Sequence, residues 1–324
     1  MGFVFGGHQS FHIREGWLRK GILGIEDNPH LFADPYAGDV LGVGHNMVAA
    51  IRYWLQATGL VEAYAEAKDG TKTTRFMLTA LAETIRRYDP YFEEDGTLWV
   101  IHHHLASNKR WAPTWFWIFN VFGIRDFTQD LALAHLERYV EADLKRKVSS
   151  TTLEREFRCF VRTYTGSDVR GWREGAQLGL FVGKRAGADE NYDCPLANLN
   201  LLHPLPRTKS FRLMPPSGAT LDSLLVAYAL AGMQPQLPLA PTSISLRDAV
   251  YEPGSPGRIF LLDAEALYEH LSHLEAEEGG MVSFARTAGL NVITLKCTEP
   301  LAILARYYER VRAMESEHDQ IAAH

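Results

Sequence analysis

"LGVGHNMVAAIRYWLQATGLVE", residues 41–62, opens on glycines and then turns apolar. Met47, Val48, Ile51, Trp54 and Leu55 recur at helical spacing and predict an amphipathic helix with one core-facing stripe. The other face carries His45, Asn46, Arg52, Tyr53 and Gln56, which can hydrogen-bond a partner. Gly59 stops the helix. "LVEAYAEA" then alternates as a strand, Asp69-Gly70 supplies a turn, and "KTTRFML" returns as a second strand. Thr79 is placed to cap a further helix, "ALAETIRRYD". Two shorter helical stretches lie upstream, in "HIREGWLRKGILGI" and "DPYAGDV". Helix, short helix, longer helix, hairpin, helix is the order of a winged helix-turn-helix, whose third helix and wing face a DNA groove and backbone.

In that reading His45, Asn46, Arg52 and Gln56 face DNA, with Lys72 and Arg75 on the wing. Glycine ahead of the helix lets backbone N–H groups approach a phosphate, and a helix N-terminus favours an anion. His45 and Asn46 then reach base edges or backbone. Winged helices also serve as protein-interaction modules. The wing is only weakly basic, with Lys68, Lys72 and Arg75 set against Glu62, Glu66 and Asp69.

A chain of 324 residues with 46% hydrophobic and 22% charged residues is long enough for two or three cores. A net charge of −6 gives no global basic signature, so any nucleic-acid surface is a local patch. Cys159, Cys194 and Cys297 are odd in number and far apart, which argues against a disulfide framework and fits a reducing, cytoplasmic setting. No basic n-region with a long apolar run opens the chain, and no stretch has the length of a membrane span.

Trp111, Trp115, Phe116, Trp117, Phe119 and Phe122 are too many rings for a surface loop and are expected in a core, on a helix from Pro113 to Phe122. His102, His103 and His104 lie close to Asp89, Glu93, Glu94 and Asp95, on a helix capped by Thr97 and running to Ser107. On a helix His102 and His104 diverge by about 200°, which works against a shared metal. Even so, His102, His104 and Asp89 are the candidates for a general base or for holding Mg²⁺ or Mn²⁺ if the chain hydrolyses phosphodiesters. His8 and His12, near Arg14, form a second grouping.

Two helices follow, broken near Val148-Ser149-Ser150. The window from Lys145 to Arg185 holds Lys145, Arg146, Lys147, Arg155, Arg158, Arg162, Arg170, Arg173, Lys184 and Arg185, which can follow a phosphate backbone. "CPLANLNLL" reads as a helix, "SFRLM" as a strand, "TLDSLLVAYALAGM" as an apolar helix and "PQLPLAPTS" as a connector. Then "ISLRDAV", "LDAEALYEHLSHLEAEE" and "MVSFARTAGLNVITLK" repeat the helix, helix, hairpin order. Between Ile259 and Ala285 there is no Lys or Arg, but there are Asp263, Glu265, Glu269, Glu275, Glu277 and Glu278. That face repels phosphate and is assigned to protein contacts. "EPGSPGRIF" lacks the Walker lysine and a preceding strand, so an NTPase is excluded.

Five segments together carry a resemblance: "FGGHQSFHIREGWLRKG", "LGVGHNMVAAIRYWL", "DPYFEEDGTLW" with "HHHLASN", "ISLRDAV" with "EPGSPGRIFLL", and "TAGL" followed by "YYERV". In this order they resemble a bacterial domain-of-unknown-function family typified by the SspB proteins of single-stranded DNA phosphorothioation (Ssp) systems. The resemblance implies a cytoplasmic partner of a cysteine desulfurase, an ATP-using sulfur-transfer protein and a further ATPase, serving antiphage defence. It also implies strand nicking of duplex DNA, and it brings no catalytic motif with it. A nicking endonuclease and a non-catalytic DNA-binding scaffold for the sulfur-transfer enzymes therefore both remain open. A transcriptional regulator is a third, more distant reading.

The expected architecture is α+β and mostly α: a winged-helix module with appended aromatic helices over 1–124, a helical middle with a basic patch over 125–218, and a winged-helix-like module over 219–324.

Overall fold

The computed structural model describes residues 2–68, 71–165, 194–217, 220–233, 242–277, 279–287 and 290–322. The expected turn at Asp69-Gly70, residues Arg170, Arg173, Lys184, Arg185 and Glu278, and most of the "PQLPLAPTS" connector lie outside them. The fold is mostly helical α+β with small antiparallel sheets. Contacts divide the chain into two compact units, Met1–Glu83 with His104–Pro215 and Thr84–His103 with Pro216–His324. Among the described residues no helix is long and apolar enough to cross a membrane.

The first unit begins with α1 (Trp17–Asp27), α2 (Ala37–Leu41) and α3 (His45–Ala57), then the hairpin β1 (Val61–Lys68) and β2 (Thr71–Leu78). The element order matches the sequence reading. Gly59 ends α3 for two reasons. Its φ of 71° is left-handed, and a Cβ there would come within 2.9 Å of the His104 ring. Thr79 caps α4 (Ala80–Tyr88), its hydroxyl accepting from Ala82 N at 3.3 Å. Helix α5 (Asp95–Ser107) starts ahead of Thr97, which is buried within it rather than capping it.

Next come α6 (Pro113–Trp117), continued by a π-helical turn over Ile118–Phe122, then β3 (Asp126–Thr128), α7 (Gln129–Ala142) and α8 (Ser150–Thr165). A 3₁₀ turn over Pro195–Leu199 leads to β4 (Leu202–Leu205) and β5 (Ser210–Leu213). The middle of the chain is therefore not purely helical. Its three short strands form a sheet in the order β3-β5-β4, with Phe127 opposite Phe211. Of the expected ring core, Trp115, Trp117, Phe119 and Phe122 are buried while Trp111 and Phe116 are half-buried; Trp54 meets Trp115 edge-on at 5.4 Å, and Trp115 meets Phe160 at 6.0 Å. Offset and edge-to-face contacts of this kind add to the burial each ring provides.

The second unit is built around α9 (Ser223–Gly232), whose residues Leu224–Ala231 are all buried. A helix that is apolar all round has to be enclosed. It packs against α12 (Ala264–Ala276) and α13 (Pro300–Ala322), with α10 (Leu246–Tyr251) and α11 (Pro256–Ile259) completing the helical layer. The hairpin β7 (Val282–Thr287) and β8 (Leu290–Leu295) gains a third strand, β6 (Thr242–Ser245), in the order β6-β8-β7. Asp222 caps α9 through Leu224 N and pairs with Arg310. Asp263 caps α12, accepting from Glu265 N and Ala266 N.

Candidate nucleic-acid interface

Helix α3 buries Val48, Ile51, Trp54 and Leu55 as its periodicity predicts, whereas Met47 is half-buried. His45, Asn46 and Arg52 are exposed. Gly44 precedes the helix in extended backbone and no side chain caps it; Met47 N and Val48 N donate to Gly44 O, so the N–H groups of His45 and Asn46 themselves are the ones without an intrahelical acceptor. Gln56 and Tyr53 do not belong to this outer face. Gln56 is 8% exposed and its side-chain amide donates to Arg52 O. Tyr53 is 2% exposed and its hydroxyl donates to Trp111 O at 2.8 Å. Helix α3 is covered on a second flank, which a single apolar stripe does not record.

The β1–β2 hairpin does not gather its cations. Arg75 stands opposite Tyr64 and Lys72 opposite Ala67. Positions three apart in a strand point to opposite faces, so Arg75 and Lys72 cannot act as one patch. On the Arg75 face lie Glu62, which accepts from the Tyr64 hydroxyl, and Glu66, which is 3.5 Å from His30 Nε2.

The basic window behaves differently. Arg155, Arg158 and Arg162 fall within about 60° of one another on α8, because residues three and seven apart share a helix face. Arg155 is exposed, Arg158 and Arg162 half-buried, while Leu153, Glu156, Phe157 and Phe160 occupy the opposite, buried side. Lys145, Arg146 and Lys147 are exposed on the segment leading into α8. Seven residues of helix span about 10 Å, which lets the three arginines meet neighbouring phosphates.

The hydrolytic candidates do not assemble. His102 is completely buried, its Nε2 is 2.9 Å from Ile259 O, and burial lowers its pKa to about 4. His104 lies half-buried on another face of α5, and burial likewise takes it down to about 4. Asp89 is 5% exposed, and its two carboxylate oxygens accept Glu93 N and Glu94 N at 3.0 Å each. That carboxylate shapes the turn before α5. Burial, together with the nearby carboxylates of Glu315, Asp89, Asp95 and Glu93, raises the Glu94 pKa. Among the described residues no group of three or more His, Cys, Asp or Glu is placed to hold a metal ion. Asp89, His102 and His104 therefore do not fit a divalent cation.

The sequence reading paired His8 with His12. The structure instead turns His8 into the core, against Glu156 of α8 at 3.1 Å, with both side chains fully buried. Nothing in the spacing of residues 148 apart could have announced this pair.

A family model described as a protein of unknown function (DUF4007) matches residues 5–308. The chain belongs to the DUF4007 family. The DUF4007 fold is also that of two solved structures. A crystal structure of SspB superposes with a TM-score of 0.82 at 25% identity, covering 95% of this chain and 88% of that one. A magnesium ion-bound SspB crystal structure gives a TM-score of 0.80 at 26% identity, with coverage of 95% and 88%. No match was found among curated proteins.

Proposed function

We propose that this DUF4007 protein is the duplex-DNA-binding component of an Ssp-type phosphorothioation system in the cytoplasm, working with its ATPase and sulfur-transfer proteins. The observation that carries this reading is the likeness to SspB along nearly the whole chain rather than over one module. In this reading α1 to β2 act as a winged helix, with His45, Asn46 and Arg52 meeting DNA through the exposed start of α3. Lys145, Arg146, Lys147, Arg155, Arg158 and Arg162 add backbone contacts from the 125–218 region. The acidic α12 surface, within residues 219–324, meets protein. Gln56 is withdrawn from the DNA face because it is buried, and Lys72 and Arg75 are not counted as one patch.

Alanine at His45, Asn46 and Arg52 together is expected to weaken binding of a mixed-sequence duplex at least tenfold at moderate salt. Circular dichroism and the melting temperature should stay unchanged. Unaltered affinity in the folded variant would remove α3 from the interface.

A second reading is that the protein itself nicks one strand with Mg²⁺ or Mn²⁺. The magnesium-bound SspB neighbour favours it. The burial and prior engagement of Asp89, His102 and His104 do not, and no chemical step is routed through them. Supercoiled plasmid incubated with the purified protein, with and without Mg²⁺, Mn²⁺ or EDTA, decides between the two. Scaffold function predicts no open-circle product under any of these conditions. Metal-dependent product that survives alanine at Asp89, His102 and His104 would establish a nickase with its site elsewhere.

A further inference from the structure

Residues 6–11 run between α3 and α8 and are bonded to both. Glu156, on the buried side of α8, accepts Gly6 N at 2.5 Å, His8 Nε2 at 3.1 Å and the Thr114 hydroxyl at 3.0 Å. Ser10 N donates to His8 Nδ1 at 3.0 Å. That leaves the ring proton on Nε2, directed at Glu156. The His8 ring is enclosed by Trp54, stacked at 6.1 Å, and by Tyr53 and Trp115 edge-on at 5.7 and 6.1 Å.

Three residues further on, one carbonyl serves both helices. Phe11 O accepts Trp54 Nε1 from α3 at 3.0 Å and the Cys159 thiol from α8 at 3.4 Å. Gly7 lies against Tyr53, where a Cβ would come within 2.4 Å of the ring. Gln9 and Ser10, both exposed, are held at φ of 51° and 67°. Backbone of that kind persists only where its surroundings over-determine it.

We propose that residues 6–11 are a strap that sets the placement of the α3 DNA face relative to the α8 arginine stripe. Glu156, His8 and Gly7 are its positioning residues. The proposal rests on the DNA-binding reading above. Tyr53 and Trp54, which the strap grips, follow directly on Arg52. Glu156 lies on the side of α8 turned away from Arg155, Arg158 and Arg162, and Cys159, one turn on from Arg155, is buried at the edge of that stripe. A shift of the strap therefore moves both outer faces against each other without removing any DNA-facing side chain.

The test uses the full chain, a fluorescent duplex and titrations over a series of salt concentrations. The slope of log affinity against log salt counts phosphate contacts, at about 0.9 per contact. Alanine at Arg155, Arg158 and Arg162 together should reduce that slope by about 2–3. Gly7→Ala should lower affinity at least tenfold and bring the slope down to that of the triple variant. Glu156→Gln should keep the wild-type slope, because its amide oxygen still receives Gly6 N and His8 Nε2. A merely structural role would lower the melting temperature of Gly7→Ala without altering the slope well below it.

Geometry is read separately, without DNA, from the pulsed-EPR distance between spin labels at Arg52→Cys and Arg155→Cys in a Cys297→Ser background. Adding Gly7→Ala should shift or broaden that distance by several ångströms, and His8→Ala should do the same should Gly7→Ala not fold. A folded strap variant with wild-type slope and distance overturns the proposal. Wild-type protein that binds no duplex in a salt-dependent way overturns the DNA reading instead, whatever the EPR distance shows, and the strap's proposed role falls with it.

Discussion

Replacing Glu156 with alanine is expected to lower the unfolding free energy by about 3–5 kcal/mol, as breaking one side of a buried, hydrogen-bonded pair does. The carboxylate has no exposure and serves three donors from two parts of the chain: Gly6 N and His8 Nε2 from the strap, and the Thr114 hydroxyl. Alanine strips all three of their acceptor, and His8 and Thr114 are fully buried. Each orphaned donor costs about 1–3 kcal/mol, and the Thr114 hydroxyl can turn to soften its share. Urea denaturation followed by tryptophan fluorescence reads the loss. Glu156→Gln keeps the volume and one acceptor oxygen and should lose less than half as much. A Glu156→Ala midpoint within about 1 kcal/mol of wild type, at equal m-value, would mean the network contributes nothing net.

Acidification should destabilise the protein well above the pH at which carboxylates titrate, and His102 is the main reason. In the folded chain burial holds His102 at about 4, against an ordinary 6.5. Between those values the unfolded chain binds a proton that the folded chain refuses. Stability therefore rises with pH across that window. It is fully present above about pH 6.5 and is lost as pH falls through 4, by about 3 kcal/mol for this one group. His104 moves in the same direction, and so does His270, which burial also lowers. His102→Gln can still donate to Ile259 O but cannot titrate. Its melting temperature should differ less between pH 7 and pH 4.5 than that of the wild type. Equal pH dependence in the two proteins would show that His102 is charged in the folded state or is not the group responsible.

The same burial explains why the hydrolytic candidates of the sequence reading fail. Three adjacent histidines near four carboxylates look like chemistry, but helical geometry had already set His102 and His104 about 200° apart. The structure adds that His102 is spent on Ile259 O and Asp89 on the amides of Glu93 and Glu94. Such engagement lies between residues far apart in the chain, or between a side chain and a backbone group, and neither leaves a periodic trace. The short strands β3 and β6 were missed for a related reason. Three or four residues carry too little alternation to be read, and they extend only because a neighbouring strand supplies hydrogen-bond partners.

Local sequence by itself determined the order of helix, short helix, longer helix, hairpin and helix over residues 17–88. Apolar spacing, the Gly59 stop and the Thr79 cap each act within a few residues. It also determined the arginine stripe of α8, because Arg155, Arg158 and Arg162 share a face of any helix that contains them. Only the tertiary structure decided which polar residues of α3 remain outside. His45, Asn46 and Arg52 stay exposed, while Tyr53 and Gln56 are covered. It alone joined His8 to Glu156. A buried carboxylate hydrogen-bonded to an imidazole is sustained by a low-dielectric cage of rings and by amide and hydroxyl donors from elsewhere in the chain, and no short stretch of sequence contains that cage.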